Sequence, residues 1–378
     1  MKPLAGKTVL DLGIITAGAA TSALLCDMGA EVIKIESPTY RDPFRIWVSL
    51  RPEDRDKTSP HFGATNRGKK SVAINLKDPD GRRCFLDLVR HADVVVENFR
   101  RGVLDKLGIG FDVLKQANPA MVLASISSQG EDGPGAGQVS YGSTLECVAG
   151  MAWHLGYDDS PMVSGVDLNY PDQVVAMFAA GMIVNALTSV RDCGEGVHLD
   201  LAQRELTSFM IGDAFAAPDD NPVRGNADPA FAVQDCFACA DGRWIAVSLP
   251  EPQVETLVRA TGARDAQGLA RWCARRDGAA AEGGLQAAGI AAALSLRGEE
   301  VLARQAWSSA MIAGPRGEVW KGTPFDFGSP LTPDPVPEFG ADTTDVLQTL
   351  GGMGRDEIED LNDRGSIVAP DAALVRTR

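Results

Sequence analysis

Apolar positions recur along the chain in short blocks separated by polar or glycine-bearing turns. Residues 8–12 (Thr-Val-Leu-Asp-Leu) form a short apolar run, Gly13 to Gly18 supply a turn, residues 19–28 have helix-forming composition ending at Gly29, and residues 31–36 read as the next strand. That order predicts a parallel βαβ crossover. A Pro- and Arg-rich polar segment, residues 37–66, is too irregular to be an element and long enough to be a functional excursion. The alternation then resumes. Residues 70–76 predict a strand, 78–91 a helix capped by Asp78, 93–97 a buried strand, 111–118 a short helix stopped by Pro119, and 121–126 another strand. Near-continuous Val, Ile and Leu strands joined by helices indicate an α/β fold, with a parallel sheet covered on both faces in a Rossmann-like layer.

Glycine-rich loop sequence dominates residues 127–142. Helical composition runs from Gln173 to about Val190 and stops at Gly194-Glu195-Gly196, where glycine suits a left-handed cap. Val197, Leu199 and Leu201 alternate with polar residues as in a half-buried strand, residues 202–216 predict a helix, and Pro218 to Pro222 a linker. After it the texture changes. Residues 231–239 and 243–249 predict a hairpin around Asp241-Gly242, and alanine-rich residues 253–293 predict helices. A Pro- and Gly-rich run over 314–340 leads to an amphipathic tail with Val346, Leu347, Leu350, Ile358 and Leu361. A chain of 378 residues is long for one core. The expectation is a large Rossmann-like domain built from residues 1–222 and 314–378, with a small α+β domain over 223–313.

Composition narrows the class. A hydrophobic fraction of 44% with 23% charged residues is that of an ordinary soluble protein. No stretch reads as long and apolar enough to span a bilayer, and the first residues lack the apolar core of a signal peptide, so a cytoplasmic, enzyme-like protein without a membrane partner is expected. The net charge of −15 opposes a nucleic-acid partner and requires any anionic ligand to be met by a local basic cluster. Seven scattered cysteines suit reduced thiols better than a disulfide frame. The single C-x-x-C pair, Cys236 and Cys239, lies in predicted strand without a second pair, so no metal or redox cofactor is expected.

The first turn, Gly13-Ile14-Ile15-Thr16-Ala17-Gly18, lacks the G-x-G-x-x-G spacing that brings backbone against a pyrophosphate, which disfavours a nicotinamide enzyme. There is no G-x-S-x-G elbow, and His61, His91, His154 and His198 show neither triad order nor metal-ligand spacing. Carboxylates remain as the candidate reactive groups. Asp172 follows Pro171 at the mouth of the long predicted helix, where it is either a helix cap or a reactive carboxylate; spacing alone leaves both open. Two basic loops, Asn66-Arg67-Gly68-Lys69-Lys70 and Asn98-Phe99-Arg100-Arg101-Gly102, are either solvated or a phosphate-binding set that includes Arg67 and Lys70.

Several of these stretches occur together in a recognisable order. Leu4-Ala5-Gly6-Lys7-Thr8-Val9-Leu10-Asp11-Leu12 with Asp27-Met28-Gly29-Ala30-Glu31-Val32-Ile33-Lys34-Ile35-Glu36 resembles the opening of the class III CoA-transferases, the family of formyl-CoA and carnitine CoA-transferases. Asn66-Arg67-Gly68-Lys69-Lys70, Asp93 to Arg100, Tyr170-Pro171-Asp172 and Gly194-Glu195-Gly196-Val197-His198-Leu199-Asp200 follow in the family's order, and the likeness continues to Phe339-Gly340 and Val346-Leu347. The resemblance implies that Asp172 is a nucleophile, attacking an acyl-CoA thioester and passing through a mixed anhydride to an enzyme-bound CoA thioester. It also implies CoA contacts from Asn98 and Phe99, from the basic position matched by Lys106, and from Arg41 or Arg45, together with an interlocked homodimer. Its expected partners are an acyl-CoA, with coenzyme A as co-substrate, and a small carboxylic acid. Thr16 and Ala19 replace residues that relatives carry in the first turn, which bears on acyl-group recognition, and Val175 with Ala176 stand where relatives often carry glycine. The related racemases place a histidine in the glycine-rich loop, but here it reads Gln138-Val139-Ser140-Tyr141-Gly142, which disfavours proton abstraction beside a CoA ester. A racemase-like enzyme and a non-catalytic binder of CoA esters are the alternatives.

Overall fold

Strand and helix alternate through the first part of the chain much as the apolar blocks do. The structure, a computed structural model, describes residues 2–46, 59–157, 159, 170–216, 225–304, 311–313, 317–322, 325 and 334–370. They belong to two compact units: Met1–Ala149 with Gly165–Gly212 and Ser309–Arg378, and Gly150–Ser164 with Asp213–Ser308. Residues 164–169, immediately before the helix of Asp172, and the predicted linker 218–222 lie outside the described residues.

In the larger unit β1 (Thr8–Asp11), β2 (Glu31–Glu36), β3 (Lys70–Ile74), β4 (Val94–Glu97), β5 (Val122–Ser125) and β6 (His198–Asp200) pair in parallel, in the order β3-β2-β1-β4-β5-β6. Ile367–Val368 adds an antiparallel edge beside β3. The order reverses between β1 and β4, which makes this pair the switch point of a doubly wound sheet. Neighbouring side chains on a strand face opposite ways, so the sheet feeds two cores. Val9, Val32, Val94 and Val96 pack with the helices Ala17–Asp27 and Tyr170–Cys193. Leu10, Ile33, Val95 and Leu123 pack with Pro79–Val89, Phe111–Ala117, Thr343–Thr349 and Arg355–Asp363. Each fully buried Val or Leu contributes about 1.5–3 kcal/mol. Asp78 caps its helix as read from the sequence, accepting from the Gly81 N–H at 3.0 Å.

The smaller unit holds an antiparallel sheet of β7 (Val233–Ala238), β8 (Trp244–Leu249) and β9 (Ala291–Leu294), covered by the helices Val254–Thr261, Ala266–Cys273 and Gly278–Ala287. The predicted hairpin closes where the Cys239 N–H donates to Arg243 O at 2.8 Å, with Gly242 at φ +76°. That left-handed value suits glycine.

Four expectations need correction. The polar segment 37–66 is not free of structure: it contains the short helices Pro43–Ile46 and Pro60–Asn66, each opened by a proline, with Phe44 and Phe62 buried. The alanine run ending near residue 293 is helical only to Ala287; Gly289 at φ +77° turns the chain, and Ala291–Leu294 then pairs with β8. The Pro- and Gly-rich run beyond residue 314 includes β11 (Val319–Lys321), antiparallel to β10 (Met311–Ala313). One helix, Tyr170–Cys193, is long and apolar enough to cross a membrane by length and composition, contrary to the reading of the sequence. Its Val175, Ala179 and Ile183 are fully buried in the core of the larger unit, which accounts for the apolarity of that face only.

Candidate active site

The loops that leave the carboxyl ends of β1 to β5 enclose a cavity of about 570 Å³. This is where a doubly wound sheet leaves a crevice, because the connections on either side of the switch point run to opposite faces. A side-chain clasp fixes the crevice. The Ile14 N–H donates to Asn98 Oδ1 at 2.8 Å, and Asn98 Nδ2 donates back to Ile14 O at 3.0 Å, tying the loop after β1 to the loop after β4. Two glycines make the first turn possible. A Cβ on Gly13 would stand 2.5 Å from the Gly18 carbonyl carbon, and one on Gly18 would stand 2.9 Å from Asn98 Oδ1. Between them Ile15 has φ +61°, a costly conformation for a β-branched residue, and its N–H is held by Asp42 Oδ1 at 3.3 Å.

Buried charges brace this turn from below. Lys69 donates to Asp11 Oδ2 at 2.7 Å, Ala19 O at 2.9 Å, Ser22 Oγ at 2.9 Å and Asn66 Oδ1 at 3.1 Å. Asp11 Oδ1 accepts from the Gly13 N–H at 2.8 Å, and Lys34 donates to Gly13 O at 2.6 Å while pairing with Asp42 at 3.3 Å. Lys69 and Asp11 are wholly buried, and burial pushes the Lys69 ammonium down to about 8. Such pairs cost much to desolvate, and their value here lies in fixing one geometry of the turn.

Three acids among the described residues line the cavity, and they differ in their partners. Glu36 pairs with Arg45 at 2.6 Å and accepts from Ser71 Oγ at 2.6 Å; Asp42 pairs with Lys34. Asp172 has no ion pair among the described residues. It sits in the first turn of Tyr170–Cys193, inside the helix start rather than at its cap. Close packing of that helix on Ala17–Asp27, through Ala17 and Ala20 against Val175, Ala176 and Ala179, brings its carboxylate to the N-terminus of the second helix. Burial pushes the carboxyl up to about 6, opposed by hydrogen bonds from its own N–H and from the Ala17 N–H. Desolvation therefore outweighs the two helix ends that favour the anion. Beside it the hydroxyl of Thr16, which is 2% exposed, has no hydrogen-bond partner among the described residues. No histidine or cysteine is among the described residues lining the cavity.

Of the residues singled out in the sequence, the structure brings Asp172, Thr16, Asn98 and Phe99 to this cavity. Both polar atoms of the Asn98 amide are engaged by Ile14, so its place is that of a clasp. Lys106 ends the short helix Val103–Lys106, whose Val103 lines the cavity, while Lys106 itself is exposed. Arg41 stacks on Phe339, its guanidinium carbon 3.1 Å from the ring centroid, between two cavity residues, Tyr40 and Asp42. Arg67 and Lys70 are not brought there. Arg67 is 2% exposed and paired with Asp27, and Lys70 pairs with Glu31 at 2.8 Å and Asp345 at 3.6 Å. Both stand at the amino end of β3, opposite the end that opens into the cavity. Three cations among the described residues line it: Lys34, held by Asp42 and Gly13 O, Lys77 beyond the carboxyl end of β3, and Arg100 beyond β4. Sequence reasoning passed over Lys77 although the predicted strand ended one residue before it. Gln203 and the strained Ile15 were also missed; the strain at Ile15 has no local sequence signal.

Residues 4–320 match CoA-transferase family III. Succinate–glutarate CoA-transferase of Agrobacterium fabrum is 34% identical over 248 residues, 64% of this chain and 62% of that protein. Acetyl-CoA:oxalate CoA-transferase of Acetobacter aceti is 36% identical over 245 residues, 63% of this chain and 61% of that one. The chain thus spans less than two thirds of the length of these curated relatives. Among solved structures, a CAIB/BAIF family protein from Brucella suis superposes with a TM-score of 0.81 at 25% identity, covering 92% of this chain and 99% of that one. The chain belongs to CoA-transferase family III.

Proposed function

We propose that the protein transfers CoA from an acyl-CoA to a free carboxylic acid, with Asp172 as the covalent carrier. One observation carries this reading: of three acids in the cavity, Asp172 alone among the described residues has no cation to neutralise it and is held by backbone N–H groups. An Asp172 oxygen attacks the thioester carbonyl carbon; the C–S bond breaks and CoA leaves as thiolate, giving an aspartyl–acyl anhydride. The thiolate then attacks Cγ of Asp172 and releases the donor acid as carboxylate, leaving an aspartyl-CoA thioester. The acceptor carboxylate repeats the two steps in reverse, forming its own acyl-CoA and restoring Asp172. Every step exchanges one acyl-bearing oxygen or sulfur for another without net proton transfer, so no general base is required. The Ala17 N–H at a helix N-terminus is placed to favour the anionic form. Lys77 and Arg100 supply cations for the phosphates of CoA in an otherwise acidic chain, with Phe99 in the same wall.

The proposal includes a homodimer. Met177, Phe178 and Met182 on the long helix, with Phe209 and Met210, are exposed large apolar side chains, and the Phe178 and Phe209 rings meet edge-on at 6.4 Å. A cluster of this kind suits a protein interface.

The reaction is tested by mixing the protein with a panel of acyl-CoAs and free acids and following the new CoA ester. Wild-type protein is expected to form it, and Asp172→Ala to lose activity by on the order of a thousandfold or more, as when other covalent nucleophiles are removed. Full transfer by Asp172→Ala contradicts the mechanism.

A further inference from the structure

A smaller cavity, of about 270 Å³, shares Thr16 with the cavity of Asp172. Gln173, the chain neighbour of Asp172, lines it as well, and its far wall comes from Trp320 and Lys321 on β11. Its charge is one-sided. Among the described residues lining it Lys321 is the one Lys or Arg, and no Asp or Glu is present, in a chain whose net charge is −15. Lys321 donates from Nζ to Gln173 Oε1, which tethers this cation beside the helix start that carries Asp172. Although the residue as a whole is exposed, protein crowding around its ammonium, and then the charge of Arg67, push it down to about 8, so it is mostly protonated at neutral pH.

Two further lining residues carry polar atoms that are buried without a hydrogen-bond partner among the described residues: the hydroxyl of Thr16 and the indole N–H of Trp320, residues 2% and 3% exposed. Buried polar groups of this kind are ordinarily paired, and each has a hydrogen to give. A cavity with an ammonium, an O–H and an N–H, and no carboxylate among its described residues, is complementary to an anion. At this volume it falls below the range of about 300–1,000 Å³ typical of drug-sized ligands, which suits one end of a small acid and not a nucleotide.

Resting on the transfer reaction set out above, we propose that this cavity receives the second carboxylate of the acid that reacts at Asp172, so that Lys321 selects dicarboxylic over monocarboxylic substrates. One carboxylate meets Asp172 chemistry on one side of Thr16 while the other is held at Lys321 on its far side. A monocarboxylic acid of equal length leaves the ammonium unpaired and gains nothing from it.

The test compares succinate with butyrate, four-carbon acids that differ in the second carboxylate, as acceptors from acetyl-CoA and as ligands. Lys321→Met is expected to lower the succinate-to-butyrate ratio of kcat/KM at least about tenfold, and Lys321→Arg to restore most of it. In parallel, millimolar succinate is expected to raise the thermal unfolding midpoint of wild-type protein and of Lys321→Arg but not of Lys321→Met. An unchanged ratio in Lys321→Met, or equal protection of wild type and Lys321→Met by succinate, overturns the subsite. If no acid accepts CoA from acetyl-CoA, the thermal series decides the subsite by itself: Lys321-dependent protection upholds it even with transfer absent, and protection independent of Lys321, or none, removes it.

Discussion

Asp172 differs from Glu36 and Asp42 in having no charged partner among the described residues. Its carboxyl is pushed up to about 6, chiefly by burial. Only the ionised form attacks a thioester, so kcat/KM for the acyl-CoA is expected to fall as pH drops below about 6 and to level off above it. A pH profile on the free enzyme checks this, and an acid limb near 4, where an ordinary Asp titrates, contradicts it. Asn98 makes a second prediction. Asn98→Ala removes both hydrogen bonds of the clasp, with an expected cost of about 1–3 kcal/mol. It should also reduce kcat/KM, because the turn bearing Thr16 loses its anchor; urea unfolding and steady-state kinetics measure the two effects. At this scale the sequence was readable in placing Asp172 at the start of the long helix, where it stands in the first turn. It misled where charge was read without position: Arg67 and Lys70 form a basic loop by composition, yet their end of β3 points away from the crevice. Lys77 looks ordinary in sequence and gains its place from the strand direction.

At the scale of elements, the first βα turn is held by exclusion and by charge. Gly13→Ala puts a methyl 2.5 Å and 2.6 Å from backbone atoms of Gly18 and Ala19, neither of which can swing aside as a side-chain end can. The expected loss is about 1–3 kcal/mol, read as a lower urea midpoint with unchanged slope. Lys69→Met leaves the buried Asp11 without its ion pair and is expected to cost about 3–5 kcal/mol. A surface-like effect of under half a kcal/mol would show that the brace carries little. Strands and helices of the large sheet were legible because burial on both faces forces long apolar blocks and leaves polar residues to the turns. The short helix Pro60–Asn66 was not, since one buried aromatic in a polar stretch sets no period. The strand Ala291–Leu294 was not either, because alanine favours helix until Gly289 and the edge of β8 decide otherwise.

For the whole molecule, the Rossmann-like class followed from the order of apolar blocks, while the course of the antiparallel edge at Ile367–Val368 depended on pairing with the distant β3, Ile367 opposite Ile74. The long helix carries two kinds of apolar surface, one buried in the core and one exposed at Met177, Phe178 and Met182. If the exposed side meets a second copy, sedimentation should report twice the chain mass. Phe178→Glu with Met182→Glu should then shift the protein toward monomer, because charges placed in an apolar interface go unpaired. A wild-type monomer at micromolar concentration contradicts the dimer.

The central claim is that CoA becomes bonded to Asp172. Mass spectrometry of peptides after brief mixing with a productive acyl-CoA tests it most directly. CoA in thioester linkage is expected on the peptide that contains Asp172, absent from Asp172→Asn and discharged when the acceptor acid is added. Rapid CoA transfer with that peptide unmodified throughout turnover, or transfer at the wild-type rate by Asp172→Asn, contradicts it.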